Sequence, residues 1–164
     1  MTVSALMPIA LAEGEGEVFW SFGVLATVKA SSDQTGGLIC VMEQWGPKGV
    51  GSPLHVHHNE DEWFYILEGE VTFWVAGKVI VARAGSFMFG PRDIPHTFMI
   101  TSDEARFLIV AEPGGFDKFM RELSQPALSR TYPPPATDPP DMEKILATAA
   151  RYGIEILGPP GIPA

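Results

Sequence analysis

The alternation of short apolar segments and turns between residues 18 and 110 constrains the fold of this chain more than any other feature. The segments are rich in Val, Ile, Phe, Trp and Thr, and they are separated by Gly, Pro or Asp. β-Branched and aromatic residues favour strands, whereas Gly, Pro and Asp favour turns. The pattern predicts strands at residues 24–30, 37–45, 63–68, 71–75, 78–82, 86–89, 96–100 and 105–110. So many short strands indicate an all-β jelly roll or small barrel.

Two turn signals in this region predict successive tight hairpins. Gly69-Glu70 separates the third and fourth predicted strands, and Ala76-Gly77 separates the fourth and fifth. Short Gly-containing connections between strands are typical of hairpins.

The C-terminal part of the chain has a different pattern. Phe116, Phe119, Met120 and Leu123 recur at helical spacing and predict a short helix that packs on the barrel. The Pro-rich residues 132–140 form an extended connector, because proline lacks the backbone N–H that regular structure needs. A second short helix is predicted at 142–152, with Asp141 as its cap and Gly153 as its stop.

Length and composition predict one domain, residues 1–164, with a barrel core at about 18–110 and a helical, Pro-rich extension at 111–164. The net charge of −9 argues against nucleic acid as a partner. The apolar runs are too short to span a membrane. Cys40 has no second cysteine to pair with, and residues 1–11 lack a basic segment and a cleavage site, so we expect a cytoplasmic protein.

All four histidines fall in two short segments, at 55–58 and at 96. Side chains alternate along a strand, so His55 and His57 would present their imidazoles on one face. Glu62 follows five residues later, and His96 completes a set of three imidazoles and one carboxylate. We predict that this set binds one divalent transition metal, and the ligand types leave Fe, Mn, Ni, Co, Cu and Zn all open. A catalytic site is favoured, because structural zinc sites more often use cysteine.

The same alternation predicts an apolar pocket beside the metal. Phe64 and Ile66 would share the inward face of Glu62, whereas Trp63 would face out. We expect a small, aromatic ligand in a pocket of this kind. The predicted wall consists of Phe64, Ile66, Phe73, Phe89, Phe98 and Ile100. His58 is predicted to point outward, and residues 59–61 are predicted to form a solvated loop that could still help to hold His57.

These segments resemble the two conserved motifs of the cupin superfamily. Residues 49–69 match the spacing of the first motif, and Gly85-x5-Pro91-x4-His96 matches most of the second. The resemblance implies a double-stranded β-helix, and it also assigns the metal ligands to His55, His57, Glu62 and His96. Asp93 and Ile100 depart from the second motif, and Ile100 would make the pocket less polar.

The flanking segments resemble a narrower group, the single-domain cupins related to quercetin 2,3-dioxygenase. The similar segments are residues 19–23, 35–37, 113–119 and 152–160. The resemblance implies cleavage of a flavonol-like or other enolic or aromatic compound by dioxygen, with Glu62 as the catalytic base. It also implies a homodimer. Two alternatives stay open, a cupin that binds a small ligand without catalysis and a non-oxidative metal-dependent isomerase or decarboxylase.

Overall fold

The computed structural model describes residues 6–164, which form two antiparallel β-sheets and two short helices. The elements are β1 (Glu17–Ser21), β2 (Val24–Ala30), β3 (Cys40–Pro47), β4 (Pro53–His57), β5 (Asp61–Glu68), β6 (Glu70–Val75), β7 (Lys78–Arg83), β8 (Phe87–Gly90), β9 (His96–Ile100), β10 (Glu104–Glu112), α1 (Phe116–Glu122), β11 (Gln125–Pro126), α2 (Met142–Arg151) and β12 (Ile154–Pro160). The predicted all-β class with short C-terminal helices is confirmed.

The core lies between the two sheets. One sheet has the order β11-β1-β2-β3-β10-β5-β8, and the other has the order β12-β4-β9-β6-β7. Phe64 and Phe107 come from the first sheet, and Phe73 and Phe98 come from the second. The ring centroids of Phe64 and Phe73 are 5.0 Å apart, and those of Phe98 and Phe107 are 5.3 Å apart. Aromatic rings at this spacing pack edge to face, so the two sheets share one aromatic core.

One of the two predicted hairpins is confirmed and the other is wrong. Val75 pairs with Lys78 across the Ala76-Gly77 turn, as predicted. The strands on either side of Gly69, β5 and β6, do not pair with each other. Strand β5 pairs with β8 and β10, whereas β6 pairs with β7 and β9. The chain therefore passes from one sheet to the other at Gly69. Gly69 has φ 77°, and a Cβ at this position would lie 2.2 Å from the carbonyl oxygen of Glu104, so only glycine fits this crossing.

The C-terminal extension adds a strand beside the ligand-bearing strand β4. Helix α2 begins as predicted, because the Asp141 carboxylate accepts a hydrogen bond of 3.0 Å from the backbone N–H of Lys144. After α2 the chain forms β12, which the sequence did not predict. Ile154 lies opposite His57, and Ile156 lies opposite His55. The extension thus supports one wall of the barrel.

Two predictions remain, one on the domain boundaries and one on membrane spanning. Residues 1–5, which the predicted domain includes, lie outside the described residues, and the assignment of one domain to residues 1–164 stays a prediction. Within residues 6–164, none of the helices combines the length and the apolar character that crossing a bilayer requires.

Candidate metal centre

Three strands from both sheets bring the four predicted ligands together. His55 and His57 alternate on β4, so their imidazoles emerge on the same side. His96 begins β9 directly opposite His55 in the antiparallel pairing. Glu62 is the second residue of β5, in the facing sheet. All four side chains are buried.

The donor atoms of these residues converge on one point. His55 Nε2 lies 3.0 Å from His57 Nε2, which lies 3.3 Å from Glu62 Oε2. His96 Nε2 lies 2.8 Å from the same carboxylate oxygen. One ligand atom from each of the four residues falls within 4.8 Å of the others.

This spacing fits a single transition-metal ion. Metal–nitrogen bonds of about 2.0–2.1 Å at right angles place neighbouring donor atoms about 2.9 Å apart. The closest donor separations, 2.8–3.3 Å, match that value. Three imidazoles and one carboxylate form a mixed N/O set that suits first-row transition metals, and four protein ligands leave coordination positions for small molecules.

Hydrogen bonds behind the imidazoles fix which nitrogen faces the centre. The Nδ1 atoms of His55 and His96 lie 2.7 Å and 3.0 Å from the carbonyl oxygens of Pro53 and Ile94, which can only accept. His57 Nδ1 lies 2.9 Å from Glu60 Oε1. Each ring can therefore donate from Nδ1, and with a metal bound its Nε2 lone pair would be directed at the ion. Such outer hydrogen bonds are the usual means of orienting histidine ligands.

The electrostatics of the cluster favour the binding of a cation. Burial, together with repulsion from the other two imidazoles, lowers the pKa of His55 to about 3, so this imidazole is neutral. Burial opposes ionisation of Glu62, but the positive charge of His57 and the hydrogen bond from His96 lower its pKa to about 2. The pKa of His57 is raised despite burial, because the Glu62 and Glu60 carboxylates favour its charged form. A metal that binds here would therefore displace a proton from His57.

A largely apolar cavity of about 90 Å³ opens beside three of the ligands, His55, His57 and Glu62. It extends from Glu62 and the histidines past Phe64 and Phe98 toward the turn between β1 and β2. Further walls come from α1, α2 and β12, including Phe116, Phe119, Met120, Ile145, Ile154 and Ile156. The ring of Phe116 meets His57 edge-on at 5.2 Å, so α1 also packs directly on a ligand.

The structure places the predicted pocket residues in three different environments. Phe64 and Phe98 line the cavity. Ile66, Phe73 and Ile100 are buried, as predicted from the alternation, but they belong to the core beyond the cavity wall. Phe89 differs from the prediction, because it is 42% exposed on the outer face and its ring lies 4.5 Å from that of Trp63. Met88 takes the inward position on β8 instead.

The residues around the second histidine also differ in part from expectation. His58 points outward as predicted, where it contacts Asp93 and Glu155. Glu60 is buried rather than solvated, and it holds His57. Asp61, the first residue of β5, forms a bidentate ion pair with Arg92.

Several cavity residues were missed from the sequence. The spacing of Phe116, Phe119 and Met120 predicts a helix, but it does not show that this helix forms a wall of the cavity. Gln44 lines the cavity from β3, where it follows the charged Glu43 in an otherwise apolar strand.

Comparison with known proteins finds that the cupin domain family model matches residues 41–111, which include all four ligand positions. Quercetin 2,3-dioxygenase from Bacillus subtilis is 32% identical over 127 residues, which is 77% of this chain and 38% of that protein. This chain therefore spans less than two fifths of that relative.

Solved structures share the fold at lower sequence identity. A cupin described as RmlC-like, from Shewanella frigidimarina, is 19% identical with a TM-score of 0.58, covering 70% of this chain and 99% of its own. A predicted oxalate decarboxylase from Thermotoga maritima is 23% identical with a TM-score of 0.58, covering 65% of this chain and 99% of its own. At these identities the similarity establishes the fold alone, which is the double-stranded β-helix.

Proposed function

We propose that this chain, a cupin that resembles the quercetin 2,3-dioxygenase group, is a metal-dependent dioxygenase acting on a small enolic or aromatic compound. The observation that carries the proposal is the opening of the three-histidine, one-carboxylate centre into an apolar cavity. The similarity to a quercetin 2,3-dioxygenase supports the reaction class.

The proposed ligands are His55, His57, Glu62 and His96, each through the atom that faces the centre. A transition metal held there supplies Lewis acidity and redox chemistry. In the overall reaction dioxygen is reduced, a carbon–carbon bond of the enolic group breaks, and both oxygen atoms enter the products. No external reductant is required for that balance.

Glu62 is the proposed proton acceptor for the substrate hydroxyl. Its Oε2 atom contacts His57 and His96, whereas Oε1 makes no hydrogen bond to any of residues 6–164. Glu62 also lines the cavity, so Oε1 is the oxygen that a substrate hydroxyl can reach. The lowered pKa keeps the carboxylate ionised at neutral pH, which is the form that a proton acceptor requires.

The cavity size bears on the substrate class. Pockets that enclose drug-sized ligands occupy about 300–1,000 Å³, whereas this cavity measures about 90 Å³. A slim compound with one ring therefore fits better than a three-ring flavonol. The aromatic and aliphatic walls, which include Phe64, Phe98 and Phe116, exclude water from such a compound.

Oxygen consumption tests the proposal. The protein is reconstituted separately with Fe, Mn, Co, Ni, Cu and Zn, and each form is assayed with quercetin and with smaller enolic and catecholic compounds. We expect uptake with a redox-active metal, faster turnover of single-ring compounds, and incorporation of both atoms of ¹⁸O₂. Turnover without oxygen uptake would instead indicate an isomerase or decarboxylase, and tight binding without turnover would indicate a binding protein.

Substitution of Glu62 tests its assigned role. Glu62→Gln should retain part of the metal affinity but lose turnover, because an amide does not accept the proton. Glu68→Gln is the matched control, since Glu68 lies on the same strand and is exposed. Unchanged turnover in Glu62→Gln would remove Glu62 from the mechanism. The expectation of a cytoplasmic homodimer belongs to the same proposal, and light scattering of the purified protein tests its stoichiometry.

A further inference from the structure

Gln44 is a buried polar residue in the wall of the cavity. It lies on the inward face of β3, between Met42 and Gly46, and is 4% exposed. Its side chain lines the same cavity as Glu62 and the histidines.

The Gln44 amide, which offers two donors and an acceptor oxygen, makes no hydrogen bond within residues 6–164. Its N and O atoms are not fully enclosed, because Arg106 Nε is the one fully buried side-chain nitrogen or oxygen without a partner in that range. The amide is therefore open to the cavity, where a ligand or water can complete its hydrogen bonds.

The strand register places Gln44 away from the metal ligands. Glu62 lies opposite Ala111 on β10, and Ala111 lies opposite Cys40 on β3. Gln44 is four residues further along β3 than Cys40, in register with Phe107. The amide therefore faces the part of the cavity that is remote from the proposed metal, and the wall between is apolar, with Phe64, Phe98 and Ile109.

We infer that Gln44 is a specificity residue whose amide hydrogen-bonds an oxygen of the substrate on the side opposite its metal-binding oxygens. This inference rests on the proposed function and narrows its substrate class. Neither Lys nor Arg occurs among the described residues that line the cavity. A neutral amide without a nearby cation selects a hydroxyl or carbonyl group over a carboxylate. The substrate is thus a slim enolic or catecholic compound with a neutral oxygen function at its far end.

Three catechols that differ only at the end of the side chain test this inference. They are 4-ethylcatechol, 4-(2-hydroxyethyl)catechol and 3,4-dihydroxyphenylacetate. Their dissociation constants are measured calorimetrically with the zinc-loaded protein under nitrogen, where no oxidation takes place. We expect the hydroxyethyl compound to bind roughly 2- to 10-fold more tightly than the ethyl compound, as one neutral hydrogen bond provides, and the carboxylate to bind most weakly.

Substitutions assign the preference to Gln44. Gln44→Met keeps the volume and removes the hydrogen bond, so it should abolish the preference for the hydroxyethyl compound over 4-ethylcatechol. Gln44→Leu serves as a second variant if the first fails to fold. Gln125→Met makes the same chemical change on the exposed strand β11 and should behave as wild type.

A spectroscopic measurement on the wild-type protein completes the test. The chain contains three glutamines, Gln34, Gln44 and Gln125, so selective ¹⁵N labelling gives three side-chain amide signals. The Gln44 signals should shift with the hydroxyethyl compound and much less with the ethyl compound.

Two results would overturn the inference, and they are distinguishable from each other. If both neutral catechols bind equally to the wild type, or Gln44→Met keeps the preference, Gln44 has no role in selection and the proposed function stands. If the zinc-loaded wild type binds none of the three, the proposed function fails together with the inference.

Discussion

The hydrogen bond between Glu60 and His57 predicts that a residue outside the ligand set controls metal affinity. Both side chains are buried, and the carboxylate oxygen lies 2.9 Å from Nδ1. A hydrogen bond to a charged partner contributes about 1.5–3 kcal/mol, whereas one between neutral groups contributes about 0.5–1.5 kcal/mol. Glu60→Gln retains the neutral bond and loses the charge, a difference of about 1–1.5 kcal/mol, which corresponds to roughly tenfold weaker metal binding.

Competition against a chelator of known affinity measures this effect, with Co²⁺ as the metal at one fixed pH. Glu60→Ala removes the bond entirely and should weaken binding further, toward the hundredfold limit seen for outer-shell substitutions. Asp61→Asn is the control, because Asp61 is the next residue but its carboxylate binds Arg92. Metal affinity of Glu60→Gln within twofold of wild type, or an equal loss in Asp61→Asn, would refute the argument.

The remaining predictions concern stability and reactivity. Gly51→Ala should lower the free energy of unfolding in urea by about 2–3 kcal/mol, because the new Cβ would lie 2.0 Å from the Phe98 carbonyl oxygen. Gly158→Ala is the control and should cost little, because its Cβ would lie 3.6 Å from Leu54. Equal losses in the two variants would contradict the steric explanation. Asp117→Ala should lower the free energy of unfolding by about 2–4 kcal/mol, because it leaves the backbone N–H and hydroxyl of buried Ser32 without a hydrogen-bond partner. Asp33→Ala removes an exposed ion pair with Lys118 and should leave the unfolding midpoint nearly unchanged. Cys40 is fully buried, and burial raises its pKa to about 11. At pH 8 the thiol should therefore resist thiol reagents in the native protein and react with them in the urea-unfolded protein. A native thiol that reacts at the rate of the unfolded protein would show that β3 opens locally.

Local periodicity was sufficient to predict much of the barrel and its ligand geometry. The strands Val24–Ala30 and His96–Ile100 have the predicted bounds, and the inward side of β5 follows from the position of Glu62. These features depend on neighbours two residues apart, which a sequence displays directly.

Three features could not be predicted, because they depend on long-range pairing. Gly69 has the same local signal whether the chain turns back in one sheet or crosses to the other. Met88 and Phe89 are both apolar, so alternation alone does not decide which of them faces the core. Strand β12 contains Gly158 and two prolines, and its pairing partner lies about a hundred residues earlier in the chain.

The pairing of β12 with β4 bears on how related barrels can evolve different reactions. Strand β4 meets β9 through a single pair, His55 and His96, but it meets β12 at five positions. The spacing of the two ligands on β4 is therefore supported mainly by a segment outside residues 41–111, the part that the family model matches. Changes in the C-terminal extension can alter the metal geometry and the cavity while all four ligands stay the same. Relatives with identical ligand motifs can thus evolve different reactions through a part of the sequence that carries no ligand.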